Sequence, residues 1–398
     1  MSRDSSSLSD NSAHEDEDNV NTSLVSNDLI VTKYMMAAEI TNRVLAEILD
    51  RCVPGASIRD TCIFGDRRLE EETSNVFKKN KLLRKGLAYP TCISLNNYVA
   101  FFSPMLCDND SFMNNGDVVK VELGCHIDGY PALVAHTFVI GADKEKITGR
   151  KADVVCAAYQ AFQAAIRIIK PGESNKNVSK DLMTIVSSYQ CELVDEWASF
   201  QIERNRIEGT KSIVNLNSES RKDSQEPFTF DQFEVYGVDI VVSSGEGRTK
   251  MTDLRTTVHR KLDAIYPLKI KASRTFLHEV DKRFGNMPFS LRAIDNETNA
   301  RLGVTECVNH GIMDTYPVLI EKEGEFVARF KTTLLLLASG SRAITGKVPL
   351  QLENYESQYS VTDERLKRIL DKSLPSSIAD KRKRKKKAKH SITNADVE

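Results

Sequence analysis

The fold is decided by the stretch from Leu87 to Gly141, which opens as LAYPTCISLNNYVAFFSP (Leu87–Pro104), crosses an acidic, Asn-rich turn and resumes as GDVVKVELGCHIDGYPALVAHTFVIG (Gly116–Gly141). Val118 to Leu123 and Tyr130 to Ile140 are apolar runs rich in β-branched residues. Asp128 and Gly129 stand between them, the pair that a tight hairpin turn requires. A second pairing is expected for Cys92 to Leu95 against Tyr98 to Phe102 across Asn96-Asn97, because Asn tolerates positive φ better than other non-glycine residues. The block reads as sheet facing a core.

Helical spacing flanks this sheet. Val31 to Val53 brings Met35, Ile40, Val44, Leu45, Ile48 and Leu49 to one face, and Ser57 to Lys78 follows as a second helix. Gly149 to Ile169, closed by Pro171-Gly172, and Val178 to Gln190 predict two more. Strands resume at EVYGVDIVVSSGEG (Glu234–Gly247), at Val318 to Ile320 and at Phe326 to Leu337. Between them, Leu254 to about Tyr316 has helical periodicity, and Glu208 to Phe230 is polar and Ser-rich, expected to be a mobile loop.

The chain has 398 residues, 40% of them hydrophobic, enough for one large core or two halves. No apolar run approaches the roughly 20 residues that span a bilayer, and no apolar signal core opens the chain, so an intracellular protein off the membrane is expected. The 8 cysteines are dispersed without a C-x-x-C pair, which argues for buried free thiols and against a zinc or disulfide framework. Ser243-Ser244-Gly245-Glu246-Gly247 lacks the phosphate-loop arrangement, and no serine or cysteine nucleophile with a paired base is visible. His126 and His136, set among apolar neighbours on the sheet, read as core residues.

Several phrases together resemble the type II methionine aminopeptidases, and more closely their non-peptidase branch, the proliferation-associated or ErbB-binding proteins. They are VTKYMMAAEITNRVL (Val31–Leu45), FKKNKLLRKGLAYPT (Phe77–Thr91), SLNNYV, AHTFV, TGRKADVV, EVYGVDIVVSSGEG, MPFSLRA and EKEGEFVARFKTTLLL (Glu321–Leu336), and they span Val31 to Ile344. The resemblance implies an α+β pita-bread fold of two pseudo-symmetric halves, with Leu254 to Tyr316 as the type II helical insert. Residues 30–348 are expected to form this domain. Residues 1–29 are expected to be an acidic, Ser-rich disordered tail, and 349–398 a C-terminal extension.

Peptidases of this fold hold two divalent metals about 3.5–4 Å apart, which supply the nucleophilic hydroxide. By resemblance, the substrate-binding His position falls on Phe101, the two bridging Asp positions on Glu122 and Leu133, and the middle His on Phe200. The remaining two Glu positions fall on Asp239 and Lys331. Two hard carboxylates with the other donors replaced by apolar groups and an ammonium do not make a dinuclear site, so neither metal, cofactor nor aminopeptidase activity is expected. Lys331 is instead expected to neutralise Glu122 and Asp239, since an uncompensated buried charge costs several kcal/mol. A cleft walled by Phe101, Phe102 and Phe200 that holds peptide N-termini without cutting them stays open as an alternative.

The near-zero net charge conceals a separation along the chain. Lys381, Arg382, Lys383, Arg384, Lys385, Lys386, Lys387 and Lys389 give eight basic residues in nine, expected to be a nuclear or nucleolar address and polyanion binder, with a solvated solubility tail as the alternative. The insert is also basic, with Lys269, Lys271, Arg274, Lys282 and Arg283 near Tyr266 and Phe276, a composition suited to a phosphate backbone or to a solvated helical face. The resemblance favours the first and implies association with the large ribosomal subunit or its RNA, shuttling between nucleus, nucleolus and cytoplasm, and a role in ribosome biogenesis, translation or growth control. Binding of curved DNA is the alternative. Further protein partners remain open, and neither a membrane nor a small-molecule substrate is expected.

Overall fold

The structure, a computed structural model, describes residues 25–215 and 226–372. The basic run Lys381–Lys389, most of the acidic N-terminal segment and the centre of the Ser-rich stretch therefore lie outside the described residues.

Helix α1 (Asp28–Leu49) begins three residues before its apolar spacing suggests, because the Asn27 side chain accepts from the Leu29 N–H and caps it. Ile30, Tyr34, Ala37, Thr41, Val44 and Ile48 form its buried stripe. Val25 is already buried and its N–H reaches the Phe233 carbonyl, so packing starts inside the segment expected to be a disordered tail. Helix α2 (Ile58–Asn75) is capped by Ser57. Its Gly65 rests against Thr91, where a Cβ would come within 2.4 Å of the threonine hydroxyl, so only glycine allows this approach to β1 (Lys85–Leu95).

Strand β2 (Tyr98–Ala100) is followed by the hairpin of β3 (Val118–Ile127) and β4 (Tyr130–Val139). Its ladder closes at Ile127 opposite Tyr130, with Asp128 at φ 56° and Gly129 at φ 76°, as a two-residue turn demands. Lys33 and Arg204 hold the Asp128 carboxylate at 2.5 and 2.8 Å. The second expected hairpin does not form. Asn96 does take a positive φ of 48°, but β1 pairs along its length with the fully buried β3, and β2 pairs with Leu319–Ile320. A single bond, from the Ile93 N–H to the Phe102 carbonyl, remains of the expected pairing.

Helices α3 (Gly149–Ile168) and α4 (Asn175–Ser187) precede strands β5 (Ala198–Gln201), β6 (Ser212–Val214) and β7 (Val235–Ser243). Strand β6 pairs with β5, so the span expected to be a mobile loop contains an ordered edge strand. After the insert the chain returns as β8 (Val327–Leu337). The main sheet runs β1-β3-β4-β8-β7-β5-β6. Its first half packs under α1 and α2, and its second half under α3 and α4, each with its own apolar core. The halves meet where β4 and β8 share only two register pairs, Lys331 opposite Ala135 and Thr332 opposite Val134.

The insert is not wholly helical. Val258–Lys261 is a strand between Phe289–Ser290 and Met313–Tyr316, and two helices, Lys271–Arg283 and Glu297–Asn309, pack beside this small sheet. Phe276, Val280, Phe284, Phe289 and Cys307 form a core of its own, and Gly303 lets the two helices approach, since a Cβ there would meet Phe276 at 2.6 Å. A buried Arg292–Asp66 pair at 2.5 Å ties the insert to the first half. The described part of the C-terminal extension joins the second core through Leu350, Tyr355, Val361 and Leu366. Among the described residues no helix is long and apolar enough to cross a membrane. All eight cysteines are free, and seven are buried.

Candidate functional site

Register builds the site at the seam of the two halves. Glu122 on β3 lies opposite Ala135 on β4, Ala135 opposite Lys331 on β8, and Lys331 opposite Asp239 on β7. Strand alternation places Arg329, two residues before Lys331, on the same face. Its guanidinium donates to both Glu122 oxygens at 2.6 Å each and to both Asp239 oxygens at 2.9 and 2.7 Å. The Lys331 ammonium lies 3.0 Å from Glu122 and 3.3 Å from Asp239.

All four side chains are buried, and their formal charges cancel. Burial alone would drive the Lys331 and Arg329 pKa values down, but the adjacent Glu122 and Asp239 carboxylates outweigh it and hold both cations above their ordinary values. Burial likewise opposes ionisation of Asp239, and Arg329 and Lys331 overcome it, keeping the carboxyl below its usual 3.8. Such a cluster persists only because charge-assisted hydrogen bonds satisfy nearly every polar atom in it.

A divalent metal pair does not fit these donors. The two carboxylates are already engaged by cations that would repel an ion, and the other inherited positions offer no ligand. Leu133 packs against Gly124 in the first core. Phe101 and Phe200 line a cavity of about 170 Å³ beside the charged cluster. Phe101 sits at φ 71°, a costly conformation for a bulky side chain; its ring stacks on Trp197 at 5.5 Å and meets Tyr316 edge-on at 5.3 Å. Trp197 in turn lies 4.8 Å from the Arg329 guanidinium. Phe102, expected in this wall, lines a different pocket with Leu95 and Tyr98.

Sequence reasoning missed Arg329, Trp197, Tyr89 and Tyr316. Period-two alternation in ARFKTTLLL could have found Arg329; nothing local marks the aromatics, which come from three separated segments. His126 and His136 are buried, and burial pushes both down to about 4, so they stay neutral core residues.

The basic residues of the insert do not share one surface. Lys269 and Lys271 are exposed at the start of the Lys271–Arg283 helix, where Arg274 donates to the Leu268 and Lys269 carbonyls. Phe276 is buried and Tyr266 stacks on His310, so neither is free to stack on a base. Lys282 and Arg283 lie at the far end of that helix, roughly 16 Å away at 1.5 Å per residue. There they face the Lys81–Lys85 segment across a groove of about 520 Å³. Six cations line the groove, Lys81, Arg84, Lys85, Lys261, Lys282 and Arg283, against two acids, Asp263 and Asp281. Lys261 is paired with Asp281, and Arg283 with Glu70 and Glu279. Lys81, Arg84 and Lys282 have no ion-pair partner among the described residues.

Residues 32–214 match the metallopeptidase family M24. The chain is 43% identical over 320 residues to an ErbB-3 binding protein 1 of Arabidopsis thaliana, covering 79% of this chain and 80% of the relative. It is 40% identical to proliferation-associated protein A of Dictyostelium discoideum, covering 94% of each. A curved DNA-binding protein of Schizosaccharomyces pombe is 38% identical over 91% of this chain and 94% of its own length. Among solved structures, a thermophilic Arx1 superposes with a TM-score of 0.82 at 32% identity, covering 87% of this chain and 99% of that one. A Thermotoga maritima methionine aminopeptidase, at 16% identity and a TM-score of 0.54 over 80% of this chain and 97% of its own, shares the pita-bread fold.

Proposed function

Because the chain belongs to the proliferation-associated, ErbB-3-binding branch of the metallopeptidase M24 fold, we propose that it is a non-catalytic member that binds nucleic acid on ribosomal particles. The observation that carries the binding reading is the groove between Lys81–Lys85 and the insert, where Lys81, Arg84 and Lys282 stand exposed and unpaired. Unpaired cations along a groove release counterions from a phosphate backbone, and that release supplies sequence-independent affinity. Loss of catalysis is supported by Arg329 and Lys331, whose charges occupy the space between the carboxylates that a metal would need. The resemblance supplies the rest: large-subunit RNA as ligand, a role in ribosome biogenesis, translation or growth control, and nuclear, nucleolar and cytoplasmic residence with the tail Lys381–Lys389 as the address.

Binding of a structured ribosomal RNA fragment and of a bent DNA duplex, measured by anisotropy at matched salt, tests this reading. Preference for the RNA, weakened about tenfold or more by Lys81→Glu with Arg84→Glu and Lys282→Glu, is expected. No binding, or binding indifferent to the triple change, overturns it. The second reading, a DNA-binding protein, rests on the curved DNA-binding relative, and preference for the bent duplex would establish it. Incubation with Mn or Co is expected to release no N-terminal Met from a peptide.

A further inference from the structure

The cavity beside the charged cluster has an unexplained polarity. Tyr89 is 2% exposed, yet its hydroxyl has no hydrogen-bond partner, and the buried indole N–H of Trp197 has none either. Both residues line the cavity. Buried polar groups are nearly always satisfied, so two orphans in one small wall call for a cause. Its carboxylates are in the opposite condition. Glu122 and Asp239 are taken by Arg329 and Lys331, and Glu208 by Arg260 and the Tyr316 hydroxyl at 2.9 Å. Glu196 is not free either.

A protonated amine entering this space therefore finds no unengaged carboxylate, whereas an acceptor finds two unused donors, of which the indole can only donate. Arg329 and Lys331 also line the cavity, and with Glu122 and Asp239 they sum to zero charge, so the cluster offers an amine no net attraction. The remaining wall, Phe101, Phe200, Ile207 and Tyr316, is apolar or aromatic. We infer that the cavity binds a small apolar molecule ending in a carboxylate or carbonyl, held by the Tyr89 hydroxyl and the Trp197 indole. Replacing the metals with two cations has thus turned a site suited to a peptide's amino end into one suited to an acceptor.

The chain has a single tryptophan, so Trp197 fluorescence reports on this cavity directly. The probes are 4-methylpentanoate, its amide, 4-methylpentylamine and a Met-leading tripeptide, each titrated into the full chain with calorimetry in parallel. The carboxylate and amide are expected to bind at least tenfold tighter than the amine and the tripeptide. Tyr89→Phe, which keeps the ring, and Trp197→Phe, read by calorimetry, should each weaken the carboxylate about fivefold to tenfold. An unchanged unfolding midpoint would separate this from misfolding, and unchanged nucleic-acid binding would separate it from the groove. Amine or tripeptide binding as tight as the carboxylate overturns the inference, as does silence of every probe at millimolar concentration, which would assign the two donors to ordered water.

Discussion

The seam between the two halves and the groove beside the insert both concentrate arginine and lysine, and they use them in opposite ways. At the seam, Arg329 and Lys331 are buried against two carboxylates and have no charge to offer outside. In the groove, Lys81, Arg84 and Lys282 are solvated and unpaired. What separates them is the environment: a charge in low dielectric must be neutralised on the spot, whereas one in water stays available to a partner. The seam's cations are therefore committed to the fold, and those of the groove are left for the proposed docking.

The largest effect expected of that contrast is at Arg329. Arg329→Met leaves Glu122 and Asp239 short of a partner and should cost about 3–5 kcal/mol in denaturant unfolding. Adding Asp239→Asn should recover a sizeable part, because Lys331, 3.0 Å from Glu122, then balances the one remaining carboxylate. A loss below about 1 kcal/mol for Arg329→Met would erase the distinction between the two regions.

Acid should act next, through groups whose pKa the fold shifts. His126 and His136 are pushed down to about 4 by burial, so between their ordinary 6.5 and that value the unfolded chain binds protons that the folded chain does not. Stability should fall with pH across this window by up to about 1.4 kcal/mol per pH unit for each histidine. Asp239, held below 3.8 by Arg329 and Lys331, contributes stability that is present above that pH and lost as pH falls through its lowered value. Denaturation midpoints from pH 7 to pH 3 would trace both phases; a flat response from 6.5 to 4 would mean the histidines charge inside the fold.

Lys331→Met should cost less, about 1–2 kcal/mol, since Arg329 still bonds both carboxylates. Smallest of all should be the groove. Lys282→Ala should move stability by no more than about 0.5 kcal/mol, yet reduce the slope of log affinity against log salt by about 1. A stability loss there comparable to that at Arg329 would break the comparison from the other side.

Much of the fold was legible because its signals are local. Asp128-Gly129 between two β-branched runs gave the β3–β4 hairpin, and the spacing of Ile40, Val44, Leu45 and Ile48 gave α1. The failures share a cause. Tyr98 to Ala100 has strand chemistry, but its partner is Leu319–Ile320, more than two hundred residues away, which no local pattern names. Ser212–Val214 is too short to outweigh its polar surroundings until β5 offers it an edge. In the insert, helical spacing obscured Val258–Lys261, whose strand character comes from its two neighbours. The composition of the basic residues there suits a phosphate backbone, but helix geometry sends Lys271 and Lys282 to opposite ends.

At the site, the sequence by itself determined residue type: apolar or cationic side chains where metal ligands stand in the family's peptidases, and a Lys331 that requires anionic company. Which charges meet was settled by register across β3, β4, β8 and β7, and with it the central place of Arg329. The aromatic wall, the two unsatisfied donors and the groove also exist only in three dimensions. Composition fixes what a side chain is able to do, but the dielectric and the partners that decide what it does are set by segments brought together from far apart in the chain.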